Sequence, residues 1–71
     1  MNKYYKWRVL YKPPIEKIDD NNIDTWHKVF YFSKYECPSK IDLDCKLIDL
    51  KQTYNMKDEY IILQDLDELD K

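Results

Sequence analysis

An α+β fold is what this sequence predicts: a small β-β-α-β domain, with a three-stranded, mainly antiparallel sheet and one helix packed on one face. Three observations carry the prediction. Two N-terminal stretches are rich in aromatic and β-branched residues, the first with period-two alternation. A middle stretch repeats large apolar residues at helical spacing between a Pro-Ser start and an Asn end. A short apolar run, Tyr60-Ile61-Ile62-Leu63, stands between charged segments.

The first strand is expected between Lys3 and Lys12. Tyr5, Trp7, Val9 and Tyr11 fall on one side and Lys6, Arg8 and Lys12 on the other, with Leu10 as the one interruption. Pro13-Pro14 ends it, because proline has no N–H to give to a ladder. Ile15 to Asp24 is a polar connection with Asn/Asp turn chemistry, long enough to expect mobility or function in it.

Trp26 to Tyr35 predicts the second strand. Trp26, Phe30 and Phe32 lie on one face and Val29, Tyr31 and Tyr35 on the other, so both faces are partly apolar and the sequence does not select the buried one.

Residues 39–55 fit two periods. Ile41, Leu43, Cys45 and Leu47 alternate with polar residues as in a strand, while Leu43, Leu47, Leu50 and Tyr54 recur as on one helix face. Boundary chemistry favours the helix: Pro38-Ser39 at its start, Asp42 in the first turn where the helix dipole favours an anion, and Asn55 before apolar Met56 as a left-handed cap. Tyr60 to Leu63 is then a third strand, and residues 64–71 an acidic C-terminal segment. The alternative is a four-stranded meander.

At 71 residues, this is a single domain spanning 1–71, near the size at which one core only just offsets the lost conformational entropy. Eleven aromatic residues give it large buried area per residue. Glycine is absent, which excludes the phosphate-cradling loops that need positive φ or close backbone approach. No window approaches the ~18 apolar residues of a membrane span, and the N-terminus lacks a signal-like apolar stretch. A cytoplasmic protein with no membrane association is expected, and with it reduced thiols at Cys37 and Cys45.

Site chemistry is sparse. Cys37, Cys45 and the lone His27 are not at metal-ligand spacing, so no metal or other cofactor is expected. The run from Asp19 to Asp24 lacks the turn glycine of a calcium loop and has Phe30 where its bidentate glutamate would stand. No nucleophile is placed against His27 by its spacing, and the chain has little material for an oxyanion hole, so no enzymatic activity is expected.

Charge is more informative. Residues 1–41 hold eight Lys/Arg against five Asp/Glu, whereas residues 42–71 hold four Lys against nine Asp/Glu. A dipolar layout suits docking to a macromolecule. The acidic set Asp58, Glu59, Asp65, Asp67, Glu68 and Asp70, with Trp26 or Tyr35 as aromatic anchor, is expected to contact a larger host protein. Spaced carboxylates also imitate the phosphates of a nucleic acid, so the partner could be a nucleic-acid-binding protein. Short, glycine-free and rich in Asn, Lys, Asp, Ile and Tyr, the chain looks like small accessory proteins of phages and mobile elements in AT-rich genomes. The expected role is therefore inhibitor or modulator.

The rival expectation is a single-stranded nucleic-acid module. There, Lys6, Arg8, Lys12, Lys28 and Lys34 would pair phosphates while Tyr4, Trp26, Phe30 or Phe32 stack bases. A third is a symmetric homodimer through an edge strand.

Overall fold

A computed structural model describes residues 4–69. Strand β1 (Tyr5–Tyr11), β2 (Lys28–Ser33), helix α1 (Lys40–Tyr54), β3 (Ile61–Asp65) and a helical turn α2 (Leu66–Leu69) follow in that order, with single 3-10 turns at Ile15–Lys17, Ile23–Thr25 and Asp58–Tyr60. The sheet order is β2-β1-β3, with both pairs antiparallel. This is the expected α+β architecture, with α1 against one sheet face. A shortest dimension of 17 Å matches two layers, one of sheet and one of helix.

The cross-strand register selects the buried face. Trp7 pairs with Phe32, and Val9 with Phe30 and Leu63, so these five side chains stand on the same side. They meet Leu43, Leu47 and Leu50 of α1, and Trp7, Val9, Cys37, Leu43 and Leu47 are the buried centre of the core. Fully burying Leu43 contributes about 1.5–3 kcal/mol. The Trp7 indole stays there because its Nε1–H donates to the Cys37 carbonyl at 2.6 Å.

The helix boundaries follow local chemistry. Ser39 is the N-cap residue, but its hydroxyl donates to the Asp42 carboxylate at 3.0 Å and makes no bond to a backbone N–H. At the other end, Asn55 adopts the left-handed conformation with φ 53°, and the N–H of Met56 reaches back to the Lys51 carbonyl at 3.1 Å. Met56 itself is buried, completing the cap with its apolar partner.

Between β2 and α1 the chain turns within Lys34–Glu36. The N–H of Ser33 donates to the Glu36 carboxylate and the N–H of Glu36 to the Ser33 hydroxyl, each at 3.1 Å. The Cys37 N–H closes the turn on the Ser33 carbonyl at 3.0 Å. This is how the fully buried Ser33 has its polar groups satisfied.

Two details differ from the sequence expectation and a third adds to it. Tyr5 does not join the core side of β1. The register shifts between Tyr5 and Trp7, and the Tyr5 ring lies 5.4 Å from that of Tyr31 on the opposite face. An extra residue in one strand reverses the alternation beyond it. Asp65, expected in an acidic tail, belongs to β3, and Leu66–Leu69 form a helical turn; Asp70 lies outside the described residues. Finally, the long connection is tied together. The Thr25 hydroxyl directs its one proton to the Asn22 carbonyl at 2.8 Å, with the Asp19 carbonyl at 3.2 Å, and accepts the Asp19 N–H at 2.8 Å, while the Asp19 and Asn22 side chains cap nearby N–H groups.

Candidate interaction surface

Among the described residues, α1 covers one face of the sheet, the side of Trp7 and Val9, and leaves the opposite face to the strands' own side chains. Arg8 and Leu10 of β1 point to this side, with Tyr31 and Val29 beside them on β2 and Gln64 and Ile62 on β3. One row reads Val29-Leu10-Ile62 across the three strands. Leu10 is 9% exposed between neighbours at 51% and 44%, and it is not part of the core cluster. The next row reads Tyr31-Arg8-Gln64, in which the Arg8 Nε–H donates to Gln64 Oε1 at 2.5 Å and Tyr31 is 46% exposed. The result is a half-exposed apolar patch with one polar bridge across it.

Tyrosine rings continue the patch toward the N-terminal end of β1. Tyr31 contacts Tyr5, Tyr5 contacts Tyr4 at 4.9 Å, and Tyr4 contacts Tyr35 at 6.3 Å. Tyr35 is 74% exposed, with the Lys34 ammonium 5.5 Å from its ring centre. A rigid, amphipathic ring cluster of this kind gives contact area at low entropic cost.

The acidic residues expected to form a single-sign surface are partly cancelled. Lys6 lies 3.5 Å from Asp65 and 3.1 Å from Asp67, and Lys51 pairs with Asp58. The hydrogen bond that the Lys6 ammonium donates to Asp67 is the main reason it is held above its ordinary pKa, with partial burial opposing it. Glu59 and Glu68 are exposed. Trp26 is 42% exposed, but its Nε1–H is committed to the Asp19 carbonyl at 3.0 Å, so it braces the connection.

The basic set does not converge either. Lys28 stands on the helix side of the sheet, its ammonium on the Ile23 carbonyl at 2.7 Å and within 6 Å of the Tyr11 and Tyr54 rings. Lys6 is held by carboxylates and Arg8 by Gln64, while Lys12 is exposed. Phe30 and Phe32, considered above as stacking residues, turn into the core, which corrects that expectation.

His27 Nε2 sits 3.1 Å from the Pro13 carbonyl, an acceptor only, so that nitrogen carries the proton. Cys37 and Cys45 are free thiols. Cys37 is fully buried, and loss of solvation pushes its pKa up; Cys45 is exposed on α1. A shallow cleft of about 260 Å³ lies between the 13–25 connection and the end of α1, lined by Tyr11, Lys17, Asp24, Glu59 and Tyr60 among others. Its Tyr60 hydroxyl is held above its ordinary pKa by desolvation and then by Glu59. Among the described residues no three His, Cys, Asp or Glu side chains group as metal ligands, and no helix is long and apolar enough to cross a membrane.

Comparisons with protein-family models, with curated proteins and with solved structures found no match for this chain.

Sequence reasoning places the anchor at Trp26 or Tyr35 and passes over Val29, Leu10 and Ile62. The available signal was the double-sided apolarity of the second strand together with Leu10 breaking the alternation of the first. A sheet covered by α1 on one side leaves such residues on the other.

Proposed function

We propose that this protein is a non-enzymatic binding module that docks on a larger host protein and modulates it, acting as an inhibitor of phage or mobile-element type. What supports this most is the sheet face opposite α1, where Val29, Tyr31 and Ile62 stand half exposed around Leu10. Exposed contiguous apolar patches on small domains mark contact sites. Tyr35 and Tyr31 are the anchors, and Glu59, Glu68 and the partly neutralised Asp58, Asp65 and Asp67 supply rim charge and steering. Because Lys6 and Lys51 offset two of those five carboxylate charges, apolar contact carries the affinity in this reading and nucleic-acid mimicry is secondary.

The test compares three immobilised proteins against a host extract: wild type, Tyr31→Glu with Ile62→Glu, and Glu59→Gln with Glu68→Gln. The first pair should lose the captured partner, and the second should slow its association while leaving most of the affinity. Equal capture by all three would remove the open face from the account.

The second reading, single-stranded nucleic-acid binding, keeps one observation in its favour: the Tyr31-Tyr5-Tyr4-Tyr35 ring cluster beside Lys34. It requires affinity for oligonucleotides that falls steeply with salt, and no binding at low salt ends it.

A further inference from the structure

Backbone hydrogen bonding shows which groups each sheet edge presents. In an antiparallel ladder, pairs that exchange hydrogen bonds alternate with pairs that do not. The Lys12 N–H donates to the Tyr60 carbonyl at 2.9 Å, so residues 8, 10 and 12 direct their backbone groups to β3 and residues 7, 9 and 11 direct theirs to β2. Phe30 and Phe32 therefore face β1, and Val29 and Tyr31 turn their N–H and C=O outward. Ser33 agrees with this phase, because its N–H goes to Glu36 and its C=O accepts the Cys37 N–H. On the far edge, Ile62 and Gln64 face β1 and Leu63 turns outward. The Ile61 N–H is already bonded to the Asp58 carbonyl. Among the described residues, no hydrogen bond from outside the sheet reaches the backbone of Val29, Tyr31 or Leu63.

The two edges differ in charge. β2 begins at Lys28, whose ammonium is held on the Ile23 carbonyl, and is followed by Lys34, while Glu36 is folded onto the Ser33 N–H and Asp24 stands four residues before the strand, so this edge is the less acidic of the two. β3 is preceded by Asp58 and Glu59 and runs into Asp65, Asp67 and Glu68. Lys6, Lys51 and Lys57 offset part of this and leave the edge negative. Two copies meeting β3 to β3 would set carboxylates against carboxylates, and β2 to β2 would set lysines near lysines. β2 against β3 puts a lysine beside an acidic group at each end, whichever way the strands run.

We infer that copies of this chain associate head to tail, the β2 edge of one pairing with the β3 edge of the next. Unpaired strand edges are templates for strand addition, and here the flanking charges choose which edges meet. The contact is heterologous, so it propagates beyond a dimer unless the rotation closes a ring. It leaves the sheet face opposite α1 uncovered, and so stands or falls separately from the function proposed above.

Sedimentation equilibrium of the wild type up to millimolar concentration is the primary test. At low salt the weight-average mass should pass roughly twice the monomer value and fall back as salt screens the edges. A persistent monomer, or growth that stops at a dimer, overturns the inference. Two variants then test the pairing rule. Lys28→Glu with Lys34→Glu makes both edges acidic, and Glu59→Lys with Glu68→Lys makes both basic. Each alone should be monomeric with a wild-type far-UV CD spectrum, and their mixture should regain the wild-type mass. Folded variants that associate alone, or a mixture that stays monomeric, overturn it; if a variant fails to fold, the wild-type salt series decides.

Discussion

The same three strands build two unlike sheet faces. On the helix side, Trp7 and Val9 are buried against Leu43 and Leu47, and the one polar group on the Trp7 side chain reaches a carbonyl. On the other side, Leu10 is tucked in, while Val29, Ile62 and Tyr31 stand about half in water. The difference teaches where stability and interaction separate in a chain this small. One helix supplies enough apolar surface to cover one face, and the remaining apolar residues stay partly exposed on the other.

The largest expected effect separates the faces directly. Leu43→Ala should destabilise the fold by about 2–5 kcal/mol, since it opens a cavity in a fully buried site, whereas Val29→Thr should change stability by less than about 0.5 kcal/mol. Chemical denaturation of both variants measures the contrast, and comparable losses would show that the open face is part of the folded core. Trp7→Phe comes next. It keeps an aromatic group of smaller volume and leaves the Cys37 carbonyl without its donor, and the lost hydrogen bond alone should cost about 1–3 kcal/mol with little change in denaturant slope.

Smaller again is the pair on the strand end. Lys6→Gln removes a partly buried ammonium from Asp65 and Asp67 and should cost at most about 1 kcal/mol. The sign with pH is fixed. Lys6 has its pKa raised in the folded state, so its contribution is complete below the ordinary value of 10.5 and is lost as pH rises through the raised one. Cys37 behaves alike for a different reason. Burial raises its pKa, so stability drops as pH climbs past the thiol's ordinary value of 9.0, before the lysine step. Unfolding midpoints measured from pH 7 to 11 should fall first past 9.0 and again above 10, where Tyr60 adds to Lys6, so Lys6→Gln should reduce the later fall without abolishing it. The least perturbing check uses a thiol reagent. Cys45 should be modified quickly in the native protein, and Cys37 only on unfolding.

Much of the fold is legible in the residues. Trp7, Val9 and Tyr11 alternate, Leu43, Leu47, Leu50 and Tyr54 recur at helical spacing, and Asn55-Met56 forms the cap expected of it. These signals are local, so a single sequence carries them. The end of β1 is less legible, because a bulge at Tyr5–Trp7 has no residue signature when neither glycine nor proline marks it. For the interaction surface, the acidic and basic sets were visible as composition, but composition does not show that Lys6 would lie across from Asp65, 59 residues away.

What the sequence determined by itself was therefore the kind and order of the elements and the exclusion of glycine-dependent phosphate loops, because backbone preference and side-chain periodicity act between near neighbours. The tertiary structure alone decided which side of β2 is buried and which charges survive at the surface. Both depend on strand register, and register is set by contacts between segments far apart in the chain, where one step of slip exchanges every inward side chain for an outward one.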